Sequence, residues 1–500
     1  MPTTRSAAPA LRSRGLTCAC VLLLAGPTAI AFFSGGYFTT ARVWTGLGAW
    51  VLAIAGLLLS GDPIPRTWPG RLAITGLLAL ALWTLLSITW APVAGSAYDA
   101  GQLAMLYAGG LVAGAALLRT TTVQRVVEPA LAAGTVIVIG YGIAARLLPG
   151  LLPIARSLSA EGRLEQPLTY WNAMGELAAL GFVLSVRLCG DAARPRGLRA
   201  AAAAASAPLG LGIYLSVSRG ALFACAAGLV ALIVLAPRRS QLYGAALAVV
   251  AGGVASLAAA PFGGVTSLAG SIGTREAQGA VTLVLLLAIM AAAGFASVAL
   301  ARRERDAPLR LPRRAPVMAL GLVCVGFALA VVLGSKESST QPLSAGATRY
   351  ETLESNRYAY WRVALRAFAA EPIRGVGAGG WAVWWLRYRT VNEGAQDAHS
   401  LELQTLAELG VVGLALLLVV LGAVGVAAHR AIRIAPAVAA GPTATLVTYV
   451  AHSPLDWDWQ MPAVTLIAIV LAAMVIAVSE SGEPRPPAST SLASPRGPAR

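Results

Sequence analysis

NRYAYWRVALRAFAAEPIRGVGAGGWAVWWLRYRTVNEGAQDAHSLELQTLAELGVVG, residues 356–413, is the one long stretch in which this chain departs from its otherwise repetitive pattern of apolar runs. Counted from Lys336, it gathers Arg349, Arg357, Arg362, Arg366, Arg374, Arg387 and Arg389, a group of tryptophans, and His399. Everything around it is nearly uncharged Ala, Leu, Val and Gly. The contrast decides the fold class: long apolar spans interrupted by a single large polar excursion.

The 500 residues are 57% hydrophobic and 12% charged, with a mean hydropathy of +0.71. Soluble domains carry about 25% charge, so this composition is that of an all-α, polytopic integral membrane protein. Apolar segments fall near 16–34, 43–60, 72–90, 100–118, 127–146, 171–189, 200–217, 220–236, 240–260, 279–300, 316–335, 401–428, 437–453 and 462–478. Each approaches the roughly 20 residues that cross about 30 Å of hydrocarbon. About fourteen transmembrane helices (twelve to fourteen) are therefore expected. The formal charge of +16 is not a nucleic-acid footprint, because its Arg residues lie between apolar runs and concentrate in alternate short loops, as the positive-inside pattern requires.

These readings give five parts: a cytoplasmic N-terminus at 1–15, transmembrane helices at 16–335, a long extracytoplasmic loop at 336–400, further transmembrane helices at 401–478, and a disordered Pro/Ser-rich cytoplasmic tail at 479–500. The expected location is the plasma (inner) membrane, multi-pass, with both termini cytoplasmic. Long loops cross regardless of charge, so the arginines of 336–400 need their own explanation, and a phosphate ligand supplies one. The five cysteines lie in apolar runs and indicate neither a disulfide framework nor a zinc site.

Within the loop, residues 358–370 predict an amphipathic helix with Trp361, Leu365 and Phe368 on one face beside an Arg362/Arg366 stripe. It reads as an interfacial anchor or as part of a site. The glycines of 375–380 are a weak phosphate-loop signal, since no strand precedes them. Trp381, Trp384, Trp385 and Tyr388 have the look of an interfacial aromatic belt. His399 begins a span beside the Arg-rich loop. An imidazole, ordinarily titrating near pH 6.5, can take a proton from a hydroxyl there; a hydrogen-bonded structural role is the alternative. His429 adjoins a predicted cytoplasmic helix end, and His452 lies at the outer mouth near Asp456 and Asp458. Two shorter outer segments bring Arg163, Tyr170 and Asn172, with Glu176 just inside the span, and Arg219, whose burial in a span would be costly unless it met water or an anion.

In order, RLEQPLTYWNAMG, SVSRGA, Arg357 and Trp361 followed by EPIRGVGAGG, then DAHSLELQTLAELGVVG and AHSPLDWDW resemble the O-antigen ligase/Wzy-type polymerase superfamily. The resemblance covers roughly 75–476 and implies a membrane glycosyltransferase of GT-C-like fold. Such an enzyme takes a glycan from an undecaprenyl-diphosphate carrier and joins it to a glycan, lipid or protein acceptor outside the cytoplasm, without a metal or other cofactor. It implies that His399 is the general base and that Arg219 and Arg357 hold the donor diphosphate. His399-Ser400 stands where many members have His-Asn.

The residues support such roles on their own chemistry. Guanidinium groups stay charged and clamp a leaving diphosphate bidentately; Arg219 and Arg357 are the first candidates, with Arg163 and Arg374 behind them. Asp397, Asn172 and Trp361 are supporting candidates. A single displacement would invert the anomeric centre, and no retaining carboxylate pair is evident. The outer loop SGGYFTT has no acidic residue to serve a metal-dependent chemistry. Three alternatives stay open: a repeat-unit polymerase with the same donor chemistry, a peptidoglycan-polymerase relative using Asp397 as base, and a transporter or flippase of an anionic lipid or glycan.

Overall fold

A computed structural model describes residues 8–153, 157–303, 306–312, 314–336 and 356–481. Arg349, the first part of the long loop (337–355) and the tail from 482 lie outside the described residues. Within them the protein is helical, and the only β-type pairing is an isolated bridge between Arg238 and Pro308. The helices are α1 (Ala8–Ala31), α2 (Thr39–Leu59), α3 (Trp68–Leu86), α4 (Ala94–Leu117), α5 (Thr121–Leu147), α6 (Trp171–Gly190), α7 (Arg196–Ser216), α8 (Arg219–Leu235) and α9 (Arg239–Ala259). There follow α10 (Gly263–Thr266), α11 (Ile272–Arg303), α12 (Ala315–Lys336), α13 (Arg357–Ala370), α14 (Gly380–Tyr388), α15 (Leu401–Ile434), α16 (Pro436–His452) and α17 (Pro462–Ser479).

All fourteen predicted apolar segments coincide with helices. Eleven helices of the described residues are long and apolar enough to cross a membrane. The other three are α8 and α16, with 17 residues each, and α12. Hydropathy therefore located the helices, and eleven of the described ones meet the length and apolarity of a span where about fourteen were expected.

Helix α17 is apolar on nearly every side, α6 likewise apart from buried Asn172, Glu176, Ser185 and Arg187, and the two form the centre. An all-round apolar helix is stable only when protein or lipid covers each face, and here protein does: α6 packs against α5, α7, α8, α9 and α16, and α17 against α1, α4, α15 and α16. On the outer helices, large side chains such as Leu58, Val284 and Phe295 are exposed, the distribution expected where lipid is the solvent.

Helices α13 and α14 form a small cap on the first turns of α15. Its core is Tyr360, Val363, Ala364, Trp381, Trp385 and Ala407. Trp381 and Trp385 stack at 5.6 Å and are completely buried, so this pair is packing for the cap and not an interfacial belt. The buried face of α13 is Ala359, Tyr360, Val363, Ala364 and Ala367. The predicted stripe lies mostly outside it: Leu365 is exposed beside exposed Arg362 and Arg366, and Phe368 is partly covered, while Trp361, also partly covered, packs against the cap core.

The glycine-rich turn has a packing function. Val376 and Gly377 donate backbone hydrogen bonds to the carbonyls of Ala407 and Glu408, where α15 is broken at Gly410 (φ 66°, ψ −165°). That backbone region is open essentially to glycine alone. A Cβ on Gly410 would lie 2.2 Å from the Ile373 carbonyl oxygen, and one on Gly375 the same distance from the Glu408 carbonyl carbon. Gly410→Ala is thus expected to destabilise the protein by about 2 kcal/mol or more, read as a lower thermal midpoint in detergent. An unchanged midpoint would contradict this packing.

Candidate active site

At one end of the bundle the segments 157–171, 391–399 and 453–461 meet α13 around a cavity of about 970 Å³. Arg163, Asn172, Arg357, Asp397 and His399 all line it. Residues separated by more than 230 positions are thereby brought to one place.

The segment between α16 and α17 organises one wall. Its Asp456 is completely buried and accepts hydrogen bonds from the Tyr170 hydroxyl (2.6 Å), the Asn172 amide (2.6 Å), the Trp457 backbone N–H (2.9 Å) and the Arg357 guanidinium. Burial pushes this carboxyl up, but the Arg357 charge, helped by His399 and His452, outweighs burial and holds it below the usual carboxylate range. Tyr170 stacks on Trp457 at 4.2 Å, and burial followed by the Asp456 charge holds its phenol well above its ordinary value, so the hydroxyl stays a donor. Arg357 is the first residue of α13, and Tyr360, one turn later, lies on the same face.

Tyr360 connects this wall to His399. Its ring stacks on the imidazole at 4.9 Å, while its hydroxyl donates to Glu393 at 2.7 Å. Burial and the Glu393 charge raise its pKa. Trp457 meets His399 edge-on at 6.3 Å. His399 has φ 53°, and its Nδ1 lies 3.0 Å from the Asp397 carbonyl oxygen. A carbonyl only accepts, so Nδ1 carries the hydrogen in that bond and Nε2 is the nitrogen able to take a proton. Ser400 caps α15 by accepting from the Leu403 N–H. The Asp397 carboxylate accepts from Gln404 (3.1 Å) and Gln460 (3.2 Å); burial raises it above the ordinary range despite those bonds and the His399 charge.

The remaining candidates are placed differently. Arg163 donates to the carbonyls of Ala160 and Ser159, each at 2.8 Å, and lies 3.7 Å above the Trp171 ring. It orders its own loop as well as lining the cavity. Arg219, Arg374 and Trp361 are not among the lining residues. Arg219 opens α8, whose Gly220 packs on His452; Arg374 is exposed and pairs with Glu371 at 3.3 Å; Trp361 meets Tyr358 edge-on. His452 is completely buried, with Nδ1 hydrogen-bonded to Asp458 and 3.9 Å from Glu176. Among the described residues no group of three or more His, Cys, Asp or Glu side chains is arranged to hold a metal ion.

Asp456, Trp457, Tyr360 and Glu393 were not chosen from the sequence as site residues. The available signal was a carboxylate in a short segment between two apolar spans, an expensive placement that calls for a partner.

No curated protein matches the chain. Residues 278–418 match a family model, that of O-antigen ligase. The matched region contains Arg357, Trp361, Arg374, Asp397 and His399, whereas Arg163, Asn172, Arg219 and Asp456 lie outside it. The match covers less than half of the chain, and it shows that this region is similar to O-antigen ligase.

Proposed function

We propose that this protein is a GT-C-like membrane glycosyltransferase that transfers an oligosaccharide from an undecaprenyl-diphosphate carrier to an acceptor outside the cytoplasm, with inversion and without a metal. The observation that carries the reading is the shared cavity of His399, Arg357 and Arg163, together with the family match across residues 278–418. The acceptor hydroxyl oxygen forms a bond to the anomeric carbon as the bond from that carbon to the diphosphate oxygen breaks. Its proton goes to His399 Nε2, and the electron pair leaves with the diphosphate. A positioned base contributes roughly 10²–10⁴-fold. Arg357 offers the developing charge a guanidinium, with Arg163 beside the cavity. Arg219 and Arg374 are donor contacts only if the loops rearrange around the substrate. The same chemistry serves a ligase or a repeat-unit polymerase.

The test is reconstitution of the full-length protein with a lipid-diphosphate glycan and an acceptor. A new glycosidic bond with release of the carrier diphosphate supports the reading. Glycan movement across sealed vesicles without bond formation would instead identify a transporter.

Asp397→Asn separates the two candidate bases. Its amide oxygen can still accept from Gln404 and Gln460, so transfer within about threefold of the parent protein is expected if the imidazole accepts the proton; a loss beyond about 100-fold would move that role to Asp397. The substitution also has a pH signature. Because the folded-state pKa of Asp397 is raised, its contribution to stability is present below the ordinary carboxylate value and lost as pH rises through the folded one. Asp397→Asn should therefore be the more stable protein at pH 7, with the advantage shrinking below about pH 4, as urea unfolding at the two pH values would show.

A further inference from the structure

A second cavity, of about 920 Å³, opens at the opposite end of the bundle. Helix geometry fixes the opposition. Met461, just before α17, lines the first cavity, and Glu480, just after it, lines the second; the 18 residues between span roughly 27 Å. Alternation of the helices puts this end on the same side as the basic short loops carrying Arg194 and Arg238, the face that meets the anionic leaflet under the positive-inside rule.

Three guanidinium groups line it, those of Arg12, Arg66 and Arg119, against two carboxylates, Asp62 and Glu480. Both carboxylates are already engaged. Asp62 lies 2.7 Å from Arg66. Glu480 is bound by Arg119 and accepts from the Thr67 N–H and hydroxyl, each at 3.1 Å. Arg12 uses Nε on the Leu59 carbonyl at 2.8 Å, which leaves its terminal amino groups without a partner among the described residues. Nε and Nη2 of Arg119 are buried and meet no acceptor among the described residues. Buried guanidinium donors without acceptors are costly, so Arg119 brings an incompletely satisfied cation to the wall of this cavity. Leu16, Leu117 and Val123 supply an apolar inner wall, so charge at the mouth and hydrocarbon behind it are continuous.

We propose that this cavity binds the headgroup phosphate of an anionic glycerophospholipid, with Arg119 and Arg12 as donors and an acyl chain along the apolar wall. The chain's own tail is a poor occupant, since Arg485, Arg496 and Arg500 outnumber its single acid, Glu483. The site is independent of the transfer reaction and stands or falls separately from it.

Native mass spectrometry of the full-length protein, offered phosphatidylglycerol or phosphatidylcholine in the same detergent, tests it. Phosphatidylglycerol is expected to stay bound under activation that strips phosphatidylcholine, and Arg12→Gln and Arg119→Gln are each expected to weaken its binding about tenfold. Arg12 pairs with no carboxylate among the described residues, so Arg12→Gln reads the site even if Arg119→Gln, which leaves Glu480 uncompensated, does not fold. Equal retention of the two lipids, or unchanged binding in Arg12→Gln, overturns the proposal. Inorganic phosphate displacing the lipid at equal concentration would make the ligand free phosphate and overturn it as well.

Discussion

His399→Asn is expected to lower glycan transfer by about 10²–10⁴-fold while leaving donor affinity and folding near those of the parent protein. Asparagine is the informative replacement because His399 lies at φ 53°. Most L-residues pay roughly 1–2 kcal/mol in that left-handed region, whereas asparagine visits it readily. Alanine would mix backbone strain with loss of the base. The asparagine amide can also replace the Nδ1–H bond to the Asp397 carbonyl, so the start of α15 should hold its place. What disappears is the nitrogen that accepts the proton. Steady-state transfer with a lipid-diphosphate glycan should show the loss in kcat, with little change in KM. Retention of a tenth or more of the parent rate would remove His399 as the base.

Arg357→Ala is expected to cost about 3–5 kcal/mol of stability, because it leaves the Asp456 carboxylate buried without its cation. Transfer would be lost with it, but that alone would not separate binding from folding. The double variant Arg357→Ala/Asp456→Asn does so: removing the orphaned charge should recover most of the stability, while donor binding stays weak. Recovery of transfer along with stability would show that Arg357 does no more than neutralise Asp456. The pair also fixes an acid response. Asp456 has a depressed folded-state pKa, so its contribution is present above the ordinary carboxylate value of about 3.9 and is lost as pH falls through the folded value. The parent protein should lose stability in that window, and the double variant should lose less, as denaturant titrations at pH 3 and pH 6 would reveal.

Hydropathy located every long helix because a run of about 20 apolar residues has few alternatives to helix in a bilayer. It could not say which face each helix hides. Trp381 and Trp385 read as a lipid-facing belt and prove to be packed against Tyr360, since helical spacing is the same for a core stripe and an interfacial one. The glycines of 375–380 were equally ambiguous until the break at Gly410 gave their close approach a partner. At the site, the position of His399 at the entry to a span beside the long loop was legible, and it lines the cavity. Asp456 was not, because its meaning comes from Arg357 and Asn172, 99 and 284 positions away. Arg374 and Arg357 look alike in sequence, yet one lies against a buried carboxylate and the other is solvated beside Glu371.

The pairing of Arg357 with Asp456 has a further consequence, for which ligands the cavity can favour. A guanidinium that already faces a buried carboxylate gains little from a second monovalent anion, which merely competes with a neighbour that cannot leave. Attraction to Arg357 and repulsion from Asp456 both scale with the charge of the ligand, so the paired charges contribute little net attraction to an anion of any valence. What an anion gains from Arg357 is therefore set by its direction of approach: only one that meets the guanidinium on the side away from Asp456 finds more attraction than repulsion.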